Sequence, residues 1–571
     1  MAGALGVAMA GCGSSSTPAT SSTTAPTATT LTEEANVGAT FVDNFNPYNP
    51  ASMSGIMNMG SLFYEPLFEF NALNATEAPM PWLATAYSWN TAGTQLNITV
   101  RSGIKNSDGT AFGAADVQAN FDAVYTNSAA NAFGIPKQSA APTVAGNVVT
   151  LSFASAEFTN EYSILGNQLM IPASEISSVG VSSLATGTIA NPVGPGPFML
   201  AANGYSSSEV KTVANPKFWN GTPKVPGVDI PAYASNGAAL TALENNTLDW
   251  AGNDLPNVYE DYVGKDSATN HAYFAPGNTV TLWFNTTYGQ LGDAAVRAAI
   301  SQGIDRTALS EEGETGYENP ATSDSGLILP AQNGYQLSNL AGDLKAGSNA
   351  TAMDTLLTGA GWTAPLNWNS TSSSAVEPLC TASAPVADCW NKGGQIISFN
   401  IEDPAGYTDY AADALLISSQ LQGEGINATP DLDANANTWY SDYQAGNFQT
   451  MIHWGNGGPF PFVQYDNWLD DTQPLSAGDY GSFKSTAAQT ALTTLEGTNP
   501  TDTSAITSAV QSLETIMATQ VPEAPLLYGA DWNVYSTAHY TGWPSSSNPY
   551  INPAPNNPEL PYILDHLTPV S

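Results

Sequence analysis

The sequence predicts a mixed α/β protein with more than one packed unit. Its 571 residues exceed what one small hydrophobic core needs, and 42% of them are hydrophobic. Strand-like segments alternate with helical ones along the chain, and this mixture is typical of α/β and α+β bodies. A run of about 18 apolar residues would predict a membrane-spanning helix, and the sequence contains none.

The individual elements follow from the spacing of apolar residues. Strands are predicted at 95–101, 148–153 and 279–284. Helices are predicted at 114–125, 293–303, 411–423 and 503–519. In the first helix, the apolar residues are Ala115, Val117, Phe121 and Val124, and the last three are separated by four and three residues. The segment 545–559 is rich in proline and asparagine and predicts an extended tail along the surface.

The charge balance excludes some partners. Lys and Arg total 12 and Asp and Glu total 50, which gives a formal net charge of −38. Charged residues make up only 11%, whereas ordinary domains carry about 25%. Twelve cations cannot form the basic stripe that nucleic acid requires, nor an electrostatic attachment to anionic lipid. We therefore expect no nucleic-acid partner and no membrane contact except through a lipid anchor.

The shortage of bases also predicts a pH dependence. Repulsion among carboxylates destabilises the compact state at neutral pH and raises carboxyl pKa values in the folded state. We therefore expect stability to increase as the pH falls toward about 4, where model Asp and Glu side chains protonate. This favours an acidic extracellular milieu, and a melting temperature that peaks at pH 7 or above would contradict it. An acidic protein secreted into a neutral medium is the alternative.

The amino terminus predicts an anchor and a tether. Residues 1–12 read MAGALGVAMAGC, a short apolar stretch that ends in small residues before Cys12. This resembles the lipobox of bacterial lipoproteins and implies lipidation of Cys12, although no Lys or Arg precedes it as in export signals. The next residues, 13–36, begin with a Ser/Thr/Pro-rich stretch that has little to bury. We predict a signal remnant at 1–12, a tether at 13–36 and then the folded body.

The two remaining cysteines predict a local crosslink. Cys380 and Cys389 bracket the segment TASAPVAD. In an exported protein this spacing indicates a disulfide that closes a short loop. A metal site is not expected there, because two thiolates without a nearby histidine are too few ligands.

Motifs of catalysis are missing from the sequence. It has no G-x-S-x-G elbow, P-loop, G-x-G-x-x-G or H-E-x-x-H, and its four histidines lie far apart. We therefore expect no catalytic residues, no metal and no cofactor. A secreted glycoside hydrolase is the alternative from the enzyme class; it would need two acids facing a cleft, and sugar release at pH 4 would reveal it.

From residue 63 onward the order of motifs becomes specific. The motifs are YEPL at 64–67, PWLA at 81–84, Arg101, DGT at 108–110, ADV at 115–117, GPGPF at 194–198, NPKFWNG at 215–221, WFN at 283–285, VRAAI at 296–300 and IDR at 304–306. This series resembles the family 5 extracytoplasmic solute-binding proteins of ABC importers, over about residues 37–571. Two substitutions depart from the family pattern: Pro195 within the glycine-rich segment, and Asn246 where the family has glycine. The DGT turn, the NP turn and the IDR helix are expected to be scaffold features.

The resemblance implies a bilobal periplasmic-binding-protein fold with an extra domain. Two α/β lobes would be joined by a two-crossing hinge near 275–279 and 526–532, with Gly277 and Gly529 as hinge residues. The implied lobe 1 core comprises 37–72, 186–277 and 531–571, the extra domain 73–185, and lobe 2 278–530. The implied partners are an ABC permease and its ATPase subunits, with the chain itself a monomer on the outer face of the cytoplasmic membrane.

The ligand prediction favours a sugar. Peptide-binding members place an aspartate shortly after a tryptophan, whereas His453 to Pro459 contains no carboxylate. Other segments are similar to the cello- and manno-oligosaccharide-binding branch, and aromatic faces with amides suit pyranose rings. Candidate stacking residues are Trp454, Trp532, Trp439 and Phe45, and candidate hydrogen-bonding residues are Asn285, Asn456 and Asn46. An oligopeptide is the alternative cargo, nickel or haem is less favoured, and a sensor role stays open.

Overall fold

A computed structural model describes residues 29–34, 41–253, 255, 257–369, 379–404, 407–432, 436–455, 457–473, 475, 478–555 and 557–570. Cys12 and Asn456 therefore lie outside the described residues. Most strands gather in three sheets, which we call sheets A, B and C. Residues of sheets A and C share one hydrophobic core and residues of sheet B form another; we call these two bodies lobe 1 and lobe 2. The predicted α/β bilobal fold is confirmed.

Sheet A has seven strands. Their order is Asn270–Ala272, Val534–Ser536, Trp250–Ala251, Leu31–Glu34, Val228–Pro231, Glu209–Ala214 and Phe198–Ser206. Leu31–Glu34 runs parallel to both of its neighbours in the middle of the sheet. Because Leu31 and Glu33 are buried there, the predicted tether at 13–36 is wrong at its end: residues 31–34 belong to the folded body.

Sheet B has six strands. Their order is Asn319–Pro320, Glu523–Asp531, Ala275–Phe284, Thr450–Trp454, Ser398–Glu402 and Asn427–Asp431. The last three strands are parallel to each other, and Ala275–Phe284 is antiparallel to both of its neighbours. The predicted strand at 279–284 is therefore the second half of Ala275–Phe284.

Sheet C is a four-stranded antiparallel sheet. Its order is Ala84–Trp89, Gln95–Val100, Val148–Phe153 and Gln138–Ala145. Helix Ala114–Thr126 packs on it through Val117, Phe121 and Val124, whereas Ala115 is exposed. Three two-stranded pairs complete the strands: Phe68–Glu69 with Met80–Pro81, Asn391–Lys392 with Gln395–Ile396, and Tyr540–Thr541 with Thr568–Pro569.

Helices cover the sheets and form a separate layer in lobe 2. The α-helices of the described residues are Met53–Met57, Ala114–Thr126, Ala173–Val179, Asn236–Glu244, Ala294–Gly303, Arg306–Ala308, Ala350–Gly359, Thr408–Gly423, Ala436–Ala445, Phe462–Leu469, Thr486–Glu496, Thr503–Gln520 and Leu560–His566. Side chains at the first residues fix several starts: Asp293 accepts a hydrogen bond from Ala295 N–H, and Asp502 accepts one from Ala505 N–H. All four predicted helices are present, with ends shifted by three residues or fewer.

Two surface helices of lobe 2 have exposed faces that are polar although they carry few charged side chains. On Thr486–Glu496 and Thr503–Gln520, threonine and serine hydroxyls donate to the carbonyl four residues earlier. These hydroxyls lie on the exposed faces, where other proteins place Lys and Glu. The helices therefore stay polar outside without adding to the net charge.

The DGT turn, the NP turn and the IDR helix have structural roles, as predicted, because their side chains bond within the protein. Asp108 Oδ1 accepts hydrogen bonds from the N–H and hydroxyl of Thr110, and Asn215 Nδ2 donates to Gly196 O. The guanidinium of Arg306 is buried and donates to the carbonyls of Pro525 and Ser301 at 2.8 Å. Asn246 adopts a left-handed conformation with φ of 54°, which asparagine tolerates better than most residues.

The segment 545–559 contains no helix or strand in its described residues, as predicted, but its middle is not on the surface. Ile551 and Ala554 are buried against lobe 1, and Asn552 Nδ2 donates to Asp531 Oδ2 at 2.7 Å. The tail therefore ties the carboxyl terminus to the junction of the lobes.

Candidate functional site

The chain passes between sheets A and B through two short links. One link is Tyr273 and Phe274, and the other is Trp532 and Asn533. They run side by side, since Tyr273 N–H donates to Asn533 O at 2.8 Å. The crossings were predicted at 275–279 and 526–532. Trp532 falls within the second predicted range, whereas the first link precedes its range by one or two residues and most of the other predicted positions are paired strand residues of sheet B.

In sheet A, the carboxyl ends of the central strands point toward these links. Ala272 and Val534 flank the links and pair with each other. Val534 also pairs with Ala251, which lies opposite Glu34. The carboxyl end of Leu31–Glu34 is therefore at the edge of sheet A that meets lobe 2.

Sheet B presents the same kind of edge. Ala275 and Asp531 pair next to the links, and Val280 pairs with Trp454 while Phe284 pairs with Thr450. The strand Thr450–Trp454 therefore ends on the link side, and Ser398–Glu402 runs parallel to it. Ligands of open α/β sheets bind outside the carboxyl ends of strands, so the two facing edges define a candidate cleft.

An aromatic cluster occupies the cleft edge of sheet B. Trp454 is half-buried, and its ring lies 5.6 Å from Trp439, 6.3 Å from Tyr410, 6.4 Å from Tyr440 and 6.5 Å from Tyr407, measured between centroids. The predicted ligand residue Trp454 thus lies at the cleft, and its contact with a ligand stays a prediction.

Behind this cluster, four rings form a parallel stack. Tyr480 stacks on Trp283 at 4.8 Å, Trp283 on His453 at 4.3 Å, and His453 on Trp439 at 4.6 Å, with interplanar angles of 13° or less. Burial lowers the pKa of His453 to about 4, so the imidazole is neutral above that pH. Trp439 is fully buried in this stack, and the prediction that it stacks on a ligand is wrong.

Buried carboxyl groups lie beside the aromatic cluster. Asp403 follows the strand Ser398–Glu402 and Asp413 lies on helix Thr408–Gly423; both are fully buried, and neither has a hydrogen-bond partner for its carboxyl oxygens. Burial, and then the charges of Asp409 and Glu402, raise the pKa of Asp403 to about 9. The sequence analysis looked for a ligand-binding carboxylate only in the segment that follows Trp454. It missed Asp403 and Asp413 because they lie on other elements.

A cavity lies between the sheet C side of lobe 1 and the helical layer of lobe 2, and none of its lining residues belongs to the two links. Its volume is about 610 Å³, within the range of about 300–1,000 Å³ that small-molecule sites occupy. The lobe 1 wall includes Phe70, Asn71, Ala75, Thr76, Glu77, Ala78, Pro79, Tyr87, Ser88, Trp89, Phe158, Thr159, Glu161 and Tyr162. The lobe 2 wall consists of Tyr335, Pro459, Phe460, Thr498, Asn499, Pro500, Thr501, Thr503, Ile506 and Thr507.

One carboxylate holds the aromatic wall in place. Glu161 accepts a hydrogen bond from Tyr87 OH at 2.9 Å and another from Trp89 Nε1 at 2.7 Å. The ring of Trp89 also packs edge-on against Phe158, with centroids 5.5 Å apart. Because Glu161 fixes the polar ends of two rings, their faces have a set orientation in the cavity wall.

The cavity wall carries acids but no base. Glu77 and Glu161 are its carboxylates, and none of the described lining residues is Lys, Arg or His. Aromatic faces alternate there with threonine hydroxyls and asparagine amides. Such a wall suits an uncharged ring with hydroxyl groups and offers no counter-charge to an anionic ligand group.

Two predicted ligand residues lie in the core of lobe 1. Phe45 is fully buried and packs edge-on against Phe63 at 5.2 Å. Asn46 is also fully buried: its Nδ2 donates to Leu184 O and Gly187 O, and its Oδ1 accepts from Tyr48 N–H. Both predictions are wrong, because packing and backbone groups already use these side chains.

The predicted ligand contacts of Asn285 and Trp532 fare differently in the structure. Asn285 Nδ2 donates to the carbonyls of Gly446 and Phe448, and its Oδ1 accepts from Thr287, so it fixes a turn and the ligand prediction is wrong. Trp532 is partly buried in the second link, 4.8 Å from the ring of Phe274. Its position at the cleft keeps the prediction of a ligand contact open.

The predicted hinge glycines lie in paired strands next to the links. A Cβ at Gly277 would stand 1.9 Å from Asp531 Oδ2, and a Cβ at Gly529 would stand 2.1 Å from Asn278 Oδ1. Neither glycine has a positive φ angle. Close packing of the two crossing strands therefore explains why both are glycine, and their role in a hinge motion stays a prediction.

Three further expectations concern crosslinks, metals and membranes. The predicted disulfide Cys380–Cys389 is present. The part of the chain that the structure describes contains no cluster of three or more His, Cys, Asp or Glu side chains suited to a metal ion. Nor does that part contain a helix long and apolar enough to cross a membrane.

The fold and the cleft define a two-lobed binding protein of the periplasmic type, and comparison with known families identifies it further. Residues 78–475 match the model of the bacterial extracellular solute-binding proteins, family 5. The match covers more than half of the chain, so the chain belongs to this family.

Individual relatives agree on the fold and differ in their ligands. The chain is 27% identical over 247 residues to the oligopeptide-binding protein of Mycobacterium tuberculosis, a match that spans 40% of each protein. The Thermotoga maritima periplasmic oligopeptide-binding protein superposes with a TM-score of 0.80 at 20% identity, covering 95% of this chain and 99% of that one. Its mannohexaose-bound structure gives a TM-score of 0.73 at 21% identity, with coverages of 96% and 99%.

Proposed function

We propose that this chain is the lipid-anchored substrate-binding component of an ABC importer. It captures an oligosaccharide of the cello- or manno-type between its lobes and delivers it, chemically unchanged, to a membrane permease with its ATPase subunits. Membership of family 5 supports the class of protein. The sequence around Cys12 supports the anchor on the outer face of the cytoplasmic membrane.

The observation that carries the sugar proposal is the composition of the cavity wall. Seven aromatic residues line it, and its described residues include no base that would pair with the carboxylate of a peptide. Pyranose rings present apolar C–H faces to aromatic rings and a rim of hydroxyls to amides and threonines. The mannohexaose bound to the Thermotoga maritima relative is in line with this cargo.

Oligopeptide capture is the second candidate, and a separate observation favours it. Asp403 and Asp413 are buried without partners beside the aromatic cluster at Trp454. A buried carboxylate is stabilised by a cation, and the ammonium of a peptide is one. The named oligopeptide-binding relative agrees with this alternative.

Calorimetry with purified protein separates the two candidates. We expect cello- and manno-oligosaccharides to bind and tri- and pentapeptides not to bind. Replacing Trp89 by leucine removes an aromatic face from the wall and should weaken sugar binding about tenfold or more, which corresponds to about 1.4 kcal/mol. The control is Trp368→Leu, since Trp368 packs on Trp390 in lobe 2 and does not line the cavity.

The opposite pattern would reject the sugar proposal. Peptide binding that is lost in Asp403→Asn and kept in Trp89→Leu would assign the cargo to the oligopeptide class. Release of sugar from an oligosaccharide by the purified protein would reject the non-catalytic role. Lipidation is tested separately, by the mass of the mature amino terminus of the native chain and of its Cys12→Ser variant.

A further inference from the structure

One segment of lobe 1 reaches across the cavity to lobe 2. This segment, 71–79, which we call the strap, lies between the strands Phe68–Glu69 and Met80–Pro81. Ala75 N–H donates to Ala331 O at 3.2 Å, and Tyr335 OH donates to Ala75 O at 3.2 Å. Ala75 also packs against the hydrophobic cluster of the helical layer of lobe 2. The strap is therefore hydrogen-bonded to lobe 2 through both the backbone N–H and the backbone carbonyl of Ala75.

The strap has its own internal order. Leu73 N–H donates to Asn71 Oδ1, Glu77 N–H donates to Asn74 O, and Thr76 Oγ1 donates to Asn74 Oδ1 at 3.0 Å. These are local turn contacts, which persist whether or not the strap touches lobe 2. The strap can therefore move as a preformed unit.

The contact between the strap and lobe 2 is close at one point. A Cβ at Gly334 would stand 2.6 Å from Thr76 Cγ2 and 3.8 Å from Thr76 Cβ. Gly334 has no positive φ, so alanine is allowed there by the backbone. The absence of a side chain at Gly334 is thus what allows the strap to lie flat on lobe 2.

The strap also forms part of the cavity wall. Ala75, Thr76, Glu77, Ala78 and Pro79 line the cavity, opposite Tyr335 and Phe460. The loop that carries Phe460 leads from Trp454 at the cleft edge to the helical layer. Movement of the strap away from residues 331–335 would therefore remove one side of the cavity and release the hydroxyl of Tyr335. The hydrogen bonds that hold Tyr87 and Trp89 on Glu161 do not involve the strap.

We propose that the strap is a gate of the solute cavity: it docks reversibly on lobe 2 at residues 331–335, and its docked position retains the solute. This rests on the proposed function, in that the cavity is taken to be a solute site. Release of the strap costs little, because only two hydrogen bonds and the contacts of Ala75 and Thr76 hold it on lobe 2. Small changes at the contact should therefore shift the gate toward its open position.

Hydrogen exchange with Gly334→Ala tests the gate without any solute. The added methyl should lift the strap, so the amide of Ala75 should exchange about tenfold faster or more than in the native chain. Thr76→Ser removes the clashing Cγ2 and keeps the hydroxyl, so the double variant should return to the native rate. Gly359→Ala is the control, since a Cβ at Gly359, at the end of helix Ala350–Gly359, meets nothing within 4 Å.

Unchanged exchange at Ala75 in Gly334→Ala would overturn the proposal. So would faster exchange that the Thr76→Ser change fails to reverse, because the effect would then not pass through the contact with Thr76.

A crosslink tests retention of the solute. The 3.8 Å separation from the Gly334 Cβ position to Thr76 Cβ matches the typical Cβ–Cβ distance of a disulfide. In the variant Thr76→Cys/Gly334→Cys, built on Cys12→Ser, we expect the pair to oxidise. When oxidised after loading, it should release mannohexaose at least tenfold more slowly than each single-cysteine variant under the same conditions.

Equal release rates, or a pair that does not oxidise although both single variants fold, would overturn the gate. The two proposals fail separately. If mannohexaose binds neither the native chain nor the variants, the sugar proposal fails, and the exchange experiment and the oxidation of the cysteine pair still decide whether the strap docks.

Discussion

Glu65 should make the stability of lobe 1 depend on pH, and replacing it by glutamine should remove that dependence. The side chain is fully buried, and its Oε2 accepts a hydrogen bond from Trp219 Nε1 at 2.8 Å. Arg101 lies on the ring of Trp219, with its guanidinium carbon 4.2 Å from the centroid. Burial dominates over these contacts and raises the pKa of Glu65 to about 8 from its ordinary value of 4.5.

The sign and size of the effect follow from this pKa. Between pH 4.5 and about 8 the folded chain keeps a proton that the unfolded chain has released, so stability falls as the pH rises. At about 1.4 kcal/mol per pH unit, the full interval corresponds to about 5 kcal/mol, an order-of-magnitude upper value. Glutamine is neutral at every pH and can still accept the Trp219 bond, so Glu65→Gln should gain stability relative to the native chain as the pH rises.

Urea unfolding of both proteins at pH 5 and at pH 8 measures this difference. We expect the free energy of unfolding of Glu65→Gln, relative to the native chain, to rise by several kcal/mol between the two pH values. Glu260→Gln is the control, because Glu260 is exposed and its replacement should leave the pH dependence as it is. An equal difference at pH 5 and pH 8 would refute the reasoning from burial.

Three other changes test the packing. Gly277→Ala should cost about 1–3 kcal/mol in unfolding free energy because its methyl would overlap the partly buried carboxyl group of Asp531. Gly237→Ala has free space on a helix and should stabilise by up to about 1 kcal/mol, so equal urea midpoints of the two variants would contradict this reasoning. Arg306→Ala leaves the carbonyls of Pro525 and Ser301 without the guanidinium donor, so it should lower the unfolding free energy by about 3–5 kcal/mol in the same assay. A loss below about 1 kcal/mol would show that these hydrogen bonds are not needed for stability. Removing the disulfide by Cys380→Ala with Cys389→Ala should lower the unfolding free energy of lobe 2 by roughly 2–3 kcal/mol; no change in thermal midpoint between the oxidised native chain and the variant would be the contrary result.

The pH dependence that the composition predicts stays a prediction, and the structure gives it a different cause. The sequence suggested that repulsion among carboxylates raises their pKa values. In the structure burial is the first cause of the raised pKa values of Glu33, Glu65 and Asp403. Neighbouring charges come second for Glu33 and Asp403, whereas at Glu65 hydrogen bonds from Trp219 and Trp82 come second and lower the pKa. The direction is the same, and stability should fall with rising pH, but the responsible groups are interior ones that composition cannot distinguish from surface ones.

The candidate site was predicted less well than the fold. Phe45, Asn46, Asn285 and Trp439 have the residue types that bind sugars, and the same types fill cores and fix turns. The cavity wall residues Tyr87 and Trp89 lie on the strand Ala84–Trp89, which was not among the predicted strands, and they carry no local signal of a site. Their role depends on Glu161, which is more than 70 residues away in the chain.

The sequence by itself determined the family, three of the strands and four of the helices. The alternation at 148–153, the spacing of Val117, Phe121 and Val124, and the cysteine pair at 380 and 389 depend on local geometry, which a chain carries in its order of residues. Only the tertiary structure decided which side chains face the cleft, which carboxyl groups lack partners and where lobe 1 touches lobe 2. Those properties arise where segments hundreds of residues apart meet, as at Ala75 and Ala331. The burial of each segment depends on the other, so the local sequence of either one does not predict it.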